Sequence, residues 1–584
     1  MDEEVDSEAP PVAFYPKTQS RSVVAEQTSS IRCLSEDILW NIFLMNANMD
    51  EDAVFVSPSS PEYAARRSMR ALTVTRRSSQ VCRLWRDVIL GTSSIWGQLI
   101  DWDIFLELKT DDWRREVLRR SGSHPLYIRS EWLIGDGPKF KNFVSLVDEE
   151  WDRIRGLKFG ISPIITPTVL WTIYQILSRP AHSLQLLHIF FESSGGQYLF
   201  QEDPVLFSNH APALQELSLQ CTNLKFDPHA LMTSRIRSLI ISYATYLELS
   251  DIVECLANTP HLERLAVRHC HLIKHENFPV RETRIELPSL CYIEILDPQF
   301  GPCASIIDCI MFPEHCVVNL SCAYTREFGM ASDPVEEDAS NIAFSRNLDR
   351  LCSTFRRVTQ RFTNWYSIEA LVIALDSRTF TFNDITGLSL RDTGTPYRSW
   401  NNLLIKVVGD MAENKLLALF RSVSTVYLGD LKRLVLDFEW GAIDFSQFNL
   451  VDLFKRMTVV EHIDIGYWHP EGIRFLCSIT GDTKPAIFPR LKSLAFQLVG
   501  RVKSNDLEIL LTFFRRRRSM GIPMEVLQMR FLHRVNIDFQ DLKELDGLTV
   551  VWQLDSDESE DWKTYICGSG KPEILPVNVN RVAI

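Results

Sequence analysis

One short phrase, aliphatic-x-x-aliphatic-x-aliphatic, recurs along most of this chain and limits what it can fold into more than any other feature. Copies begin at Ile154 (IRGLKF), Leu184 (LQLLHI), Leu214 (LQELSL), Ile236 (IRSLII), Leu262 (LERLAV) and Leu290 (LCYIEI). Further copies begin at Ile368 (IEALVI), Ile385 (ITGLSL), Leu431 (LKRLVL), Val460 (VEHIDI), Leu491 (LKSLAF) and Met524 (MEVLQM). Consecutive starts are mostly 22–33 residues apart, which is room for one strand, a turn and a return helix. Side chains alternate along a strand, so the fourth and sixth positions share the buried face and the residues between them point outward. The first position packs from the incoming turn. Copies stacked side by side bury a continuous aliphatic ladder that none could bury alone. Ser250 to Asn258 and Asp506 to Arg518 have the pattern of return helices.

The strictest copy, Leu262-Glu-Arg-Leu265-Ala-Val267-Arg-His-Cys270-His-Leu272, matches the leucine-rich-repeat phrase. Most other copies lack the Asn or Cys that ties the turn, so an irregular array is expected. Residues 298–366 break the spacing and read as an insertion or a distorted repeat. Any α/β fold with short parallel strands would share such runs, but about a dozen copies in order favour the repeat reading. Outward positions of the strands, namely Ser218, Gln220, Ala266, Arg268, Val435 and Asp437, would then line a concave face for another protein.

Ahead of this array the periodicity changes to that of short helices. Leu34, Ile38, Leu39, Ile42 and Phe43 recur at the three-to-four spacing of a helix face, with Ser35 as amino cap and Glu36 and Asp37 suited to the dipole there. A second pattern, Ser79 to Val88, places Val81, Trp85 and Val88 on one stripe, and a third starts at Thr92 or Ser93 and carries Ile95, Trp96 and Leu99. Helices this short need one another, and a unit this small leaves apolar surface for a partner. A helical subdomain resting on the repeat body is the plainer alternative.

LSEDILWNIF followed by SQVCRLWRDVILGTSSIW resembles the F-box pattern, Leu-Pro-x-Glu-Ile-Leu-x-x-Ile-Phe, then Val-Cys-x-x-Trp-Arg, then a turn and Leu-Trp. The continuation VLRRSGSHPLYI (117–128) is similar to the segment after the F-box in many fungal members. Ser35 stands where the family usually has Pro, and the stretch from Met45 to Arg77 is longer than usual and reads as a surface insertion. The resemblance implies docking on a Skp-type adaptor, and through it a cullin, by residues among Leu34, Ser35, Ile38, Leu39, Ile42, Val81, Cys82 and Trp85.

The remaining features narrow the function. A net charge of −13 gives no hint of the basic face a nucleic-acid duplex needs, while leaving room for a local basic patch. No run approaches the ~18 apolar residues of a membrane helix, and the acidic start MDEEVDSEAPP is not a secretory signal. The 13 cysteines have no disulfide-like or metal-like spacing, which points to reduced thiols in the cytoplasm or nucleus. His261, His269, Cys270, His271 and His275 lack the pair spacing of a zinc site, and so do Cys303, Cys309, Cys316 and Cys322. Arg515 to Arg518 could be an address or nucleic-acid patch, but they also end a helix where cations suit the dipole. No phosphate loop, nucleophile elbow or metalloprotease motif is present, and no cofactor is implied.

The expected fold is therefore α/β, an N-terminal three-helix F-box followed by an irregular leucine-rich-repeat-like solenoid. Its layout is a disordered tail at 1–30, the F-box at 31–100, a linking helical segment at 101–153, the array at 154–550 and an acidic tail from 551. The expected function is non-enzymatic: the substrate-recognition adaptor of a Skp/cullin/F-box-type ubiquitin ligase. The alternatives are a repeat scaffold that binds a Skp-type adaptor without directing ubiquitination, and an enzyme whose site is assembled from scattered residues.

Overall fold

The computed structural model describes residues 34–49 and most of 69–569; the longer stretches outside it are 50–68, 192–204, 221–234, 274–283, 324–333, 387–402 and 532–539. The tail expected at 1–30 and the acidic stretch 555–561 lie outside the described residues. The chain divides into two compact units, one formed by the chain up to Leu99 with Glu116–Gly122, the other by Ile100–Arg115 and everything from Ser123.

The first unit is helical. Helix α1 spans Glu36–Asn46, and the Ser35 hydroxyl accepts the Ile38 N–H at 3.4 Å, as its capping position predicts. Helix α2 (Ala71–Ser78) lies within the stretch that the sequence suggests is an insertion, so part of that stretch belongs to the bundle. Its sequence, ALTVTRRS, holds three β-branched residues and little helix propensity, and it is stabilised by burying Ala71, Leu72 and Thr75. The second expected helix is shorter than its pattern: Ser79 and Gln80 turn, Cys82 is extended, and α3 runs Arg83–Gly91. Helix α4 (Ser93–Gly97) buries Ile95 and Trp96, and the Trp96 indole donates to the Ile89 carbonyl at 2.8 Å. Arg120 lies over that indole at 4.7 Å, so the segment 116–122 closes the unit.

The second unit is a mixed α/β body built on an 18-stranded, predominantly parallel sheet. In chain order its strands are β1 Ile100–Asp101, β2 Leu126–Leu133, β3 Ile154–Ile161, β4 Leu186–Phe191, β5 Glu216–Gln220, β6 Ser238–Ser242, β7 Arg264–Arg268, β8 Tyr292–Asp297 and β9 Val317–Ala323. They continue with β10 Ala370–Leu375, β11 Thr379–Asp384, β12 Leu403–Val408, β13 Arg433–Phe438, β14 His462–Tyr467, β15 Ser493–Leu498, β16 Val526–Phe531, β17 Thr549–Leu554 and β18 Lys563–Ile566. Strands β1 to β9 pair consecutively and in parallel. The order then inverts: β9 pairs β12, which lies antiparallel to β11, which lies antiparallel to β10, and β10 pairs β13 in parallel. From β13 to β17 the order is again consecutive and parallel, and β18 closes the edge antiparallel to β17.

Eleven of the twelve phrases open such a strand, and the register holds between them. Leu157, Leu187, Leu217, Leu239, Leu265, Ile293, Val318 and Leu403 face one another in sequence across eight strands. Two residues along, Ile189, Leu219, Ile241, Val267, Ile295, Leu320 and Ile405 do the same, and this row continues through the inversion as Phe382, Ile373 and Leu436. All are buried, as are the first positions Leu184, Leu214, Leu262, Leu290 and Leu431. Each such side chain contributes about 1.5–3 kcal/mol, and a one-residue slip would expose a whole row. The expected return helices are present as Leu249–Ala257 and Ser504–Ser519.

Two expectations are corrected and one is made more specific. The sheet begins before residue 154, because β2 lies in the segment taken as a helical link. The span 298–366 contains β9, in register with β8, and a 30-residue helix, Pro334–Thr363, whose length breaks the spacing. The phrase at Ile385 opens no described strand; Ile385 follows β11, and residues 387–390 lie outside the description.

Candidate docking surface

Leu39 and Phe43 of α1 and Ala47 at its carboxyl cap follow one another at a spacing of four and are buried. The Phe43 ring meets Trp85 of α3 edge-on at 5.1 Å, which fixes the two helices on each other. A second stripe of α1 presents Ile38 (48 % exposed), Ile42 (39 %) and Met45 (76 %), while Val81 (62 %) stands in the turn between α2 and α3. Of the sixteen large apolar side chains exposed among the described residues, seven belong to this small unit, which makes it rich in exposed apolar surface for its size.

The eight residues implied by the F-box resemblance thus fall into two groups. Ile38, Ile42 and Val81 are apolar and exposed, with Ser35 and Cys82 exposed beside them in sequence. Leu39 is fully buried and serves the unit's own core, while Leu34 and Trp85 are half-buried. Met45 and Leu90 (exposed, on α3) were missed. Met45 lies seven residues after Ile38 on the same stripe, and reading the helical period past Phe43 would have found it.

The six outward strand positions are spread over two regions. Ser218, Ile240, Ala266, Glu294 and Asn319 form one row across β5 to β9. Ala266 has no exposure, because its methyl lies between the longer Ile240 and Glu294, so it offers no contact to a partner. Arg268 is ion-paired with Glu294, whose other oxygen lies 3.5 Å from the Asn319 amide. Gln220 and Ser218 are half-buried.

Val435 is half-buried in β13 and faces Asp464 of β14 in register, while Asp437 is exposed two residues on. Partial burial, then the nearby charges of Asp376 and Asp464, holds the Asp437 carboxyl above the usual carboxylate range. Burial also raises Asp464, which accepts the Gly466 N–H at 2.9 Å. Gly466 has φ +61°, and a Cβ there would stand 2.9 Å from the Asp437 Oδ1.

The other constellations are absorbed by packing. His269 stacks on Tyr243 with ring centroids 5.0 Å apart, and the buried Cys270 thiol donates to the Ile241 carbonyl at 3.6 Å. His261 is exposed, and His271 and His275 lie outside the described residues. Cys303, Cys309, Cys316 and Cys322 are all buried, with Cys303 and Cys322 sulfurs 3.6 Å apart. Burial pushes the Cys309 thiol up to about 11. Among the described residues no three His, Cys, Asp or Glu side chains are grouped to hold a metal, and no helix is long and apolar enough to cross a membrane.

Three of the four consecutive arginines have different partners. Arg515 pairs with Glu508 and Glu544, Arg516 donates to the Cys477 carbonyl, and Arg517 is fully buried, donating to the carbonyls of Phe488 and Leu491 at 3.1 and 3.2 Å. Burial brings the Arg517 guanidinium down to about 10. No protein-family model matches the chain, and no curated protein matches it.

Proposed function

We propose that the chain is the substrate-recognition adaptor of a Skp/cullin/F-box-type ubiquitin ligase, its helical unit acting as the F-box and its parallel sheet as an irregular leucine-rich-repeat-like solenoid. The observation that carries this reading is the division of labour in α1 and α3. One set of apolar residues (Leu39, Phe43, Trp85, Ile89) builds the unit's core. A second set (Ile38, Ile42, Val81) is left in water at positions the F-box resemblance assigns to the adaptor. An interface of this kind takes its affinity from a few desolvated anchors. The in-register aliphatic rows and the return helices support the repeat reading of the sheet. Such an adaptor performs no bond chemistry; it raises the effective concentration of a target lysine near a bound ubiquitin-transfer enzyme.

The test is co-purification of the full chain with a Skp-type adaptor and a cullin. Wild-type chain is expected to capture both, and Ile38→Asp with Val81→Asp neither, each change costing ~2 kcal/mol or about 30-fold in affinity. Capture by the double variant at wild-type strength contradicts the docking surface. Capture of the adaptor without the cullin favours the scaffold alternative.

A further inference from the structure

The inner face of β9 carries Val318, Leu320 and Cys322 in alternation, all buried, and the last of these meets another sulfur. Cys322 Sγ lies 3.6 Å from the Sγ of Cys303, which belongs to the helix Phe300–Cys309 packed against β8 and β9. Cys303 is 0 % and Cys322 1 % exposed. The two stand 19 positions apart on different elements, so the fold, and not local chain geometry, makes their contact. Other thiols are turned to backbone: Cys270 donates to the Ile241 carbonyl, Cys291 to that of Glu263 and Cys316 to that of Val317. Burial pushes the Cys309 thiol up to about 11 and the Cys352 thiol up to about 12, which keeps both protonated near neutrality.

We propose that Cys303 and Cys322 form a reversible redox latch, a dithiol when reduced and a disulfide when oxidised by hydrogen peroxide. It is independent of the docking reading above. Disulfide sulfurs stand about 2.05 Å apart, so the bond needs an approach of about 1.5 Å, a displacement of the size that side-chain rotation supplies. One sulfur attacks peroxide, the O–O bond breaks, and a sulfenic acid and water result. The second sulfur then attacks the first, the S–O bond breaks, and water leaves. Two S–H bonds and one O–O bond are lost, one S–S and two O–H bonds form, and the sulfurs give two electrons to peroxide. Contact supplies the selectivity, because a sulfenic acid on either residue is captured by the sulfur already beside it. Burial limits the first step, so peroxide enters when this region opens locally. Closed, the latch ties the amino-terminal half of the helix to β9. Asp308, near the other end, already holds Arg350, Thr354 and Arg357 of the long helix.

The experiment treats the reduced full chain with excess hydrogen peroxide, removes the oxidant with catalase, and unfolds the chain in N-ethylmaleimide before peptide mapping. Expected is a peptide joining Cys303 to Cys322, lighter by two hydrogens than the sum of its parts and reopened by dithiothreitol. Amide exchange within 303–322 is expected to slow about tenfold in the oxidised chain and to recover on reduction. Cys303→Ala should abolish the joined peptide and Cys291→Ala should leave it, each variant being checked for native far-ultraviolet dichroism. Recovery of Cys303 and Cys322 as separate residues from oxidised wild-type, alkylated or further oxidised, overturns the proposal, as does a bond from either to any other cysteine. A Cys303–Cys322 bond that dithiothreitol does not reopen, or that leaves exchange within 303–322 unchanged, overturns the latch.

Discussion

Val81 and Trp85 stand four positions apart, belong to the same sequence pattern, and play opposite parts. Trp85 is held against Phe43, so Trp85→Ala should destabilise the helical unit by ~2–3 kcal/mol, whereas Val81→Asp at its exposed site should change stability by less than ~0.5 kcal/mol. Thermal unfolding followed by far-ultraviolet dichroism separates the two. This is why Val81, and not Trp85, is the informative position for testing docking. Asp437 offers a second residue-level test. Its folded carboxyl sits above its unfolded value, so the native state binds more protons between the two and loses stability as pH rises through that window. Asp437→Asn should therefore raise the melting temperature at pH 7, with the gain shrinking as the pH falls toward the ordinary carboxylate value. A gain that persists unchanged at low pH contradicts the assignment. At this scale the sequence was only half legible. Ile38 and Leu39 are adjacent and both apolar, about 100° apart on a helix, and nothing in the pattern says which of them turns inward.

The strands were the most legible elements because alternation has a period of two and a buried face tolerates no slip. That is why the phrases at Leu214 and Leu431, among others, open strands with their fourth and sixth positions buried. The inverted trio β10–β11–β12 was not legible, since strand order is a non-local property and the phrase at Ile368 looks like its neighbours. Helix α2 was hidden for the opposite reason: its local propensity is poor and only packing makes it a helix. The long helix Pro334–Thr363 is tied to the helix Phe300–Cys309 by one carboxylate, Asp308, which holds Arg350 Nε at 2.9 Å, Thr354 Oγ1 at 2.8 Å and Arg357 Nη2 at 2.9 Å. Asp308→Ala leaves the part-buried Arg350 guanidinium and the exposed Arg357 without their counter-charge and should cost ~1–3 kcal/mol, mostly through Arg350. The loosening should appear as faster amide exchange within 346–363, with strands β3 to β6 unaffected. A uniform loss across the sheet would mean that Asp308 does not act locally.

For the whole molecule, the division of surface chemistry carries the functional reading. One unit of the chain concentrates exposed aliphatic side chains and arginines, while the other devotes its aliphatic residues to in-register internal rows and places mixed, half-buried side chains on the outward strand positions. The first arrangement suits a fixed partner met through a few anchors, the second a broad surface for a different protein. The position of the helical unit was legible from the sequence, because its short stripes have the helical period. A ligand for the outward strand face was not legible, because small outward residues such as Ser218 and Val435 encode none on their own. The most direct test is hydrogen–deuterium exchange of the full chain with and without a Skp-type adaptor. Added protection concentrated in 36–46 and 79–91, with the strands from 186 to 297 unchanged, is the predicted result. Protection absent from both helical segments, or confined to the strands, would contradict the claim that this unit is where the adaptor docks.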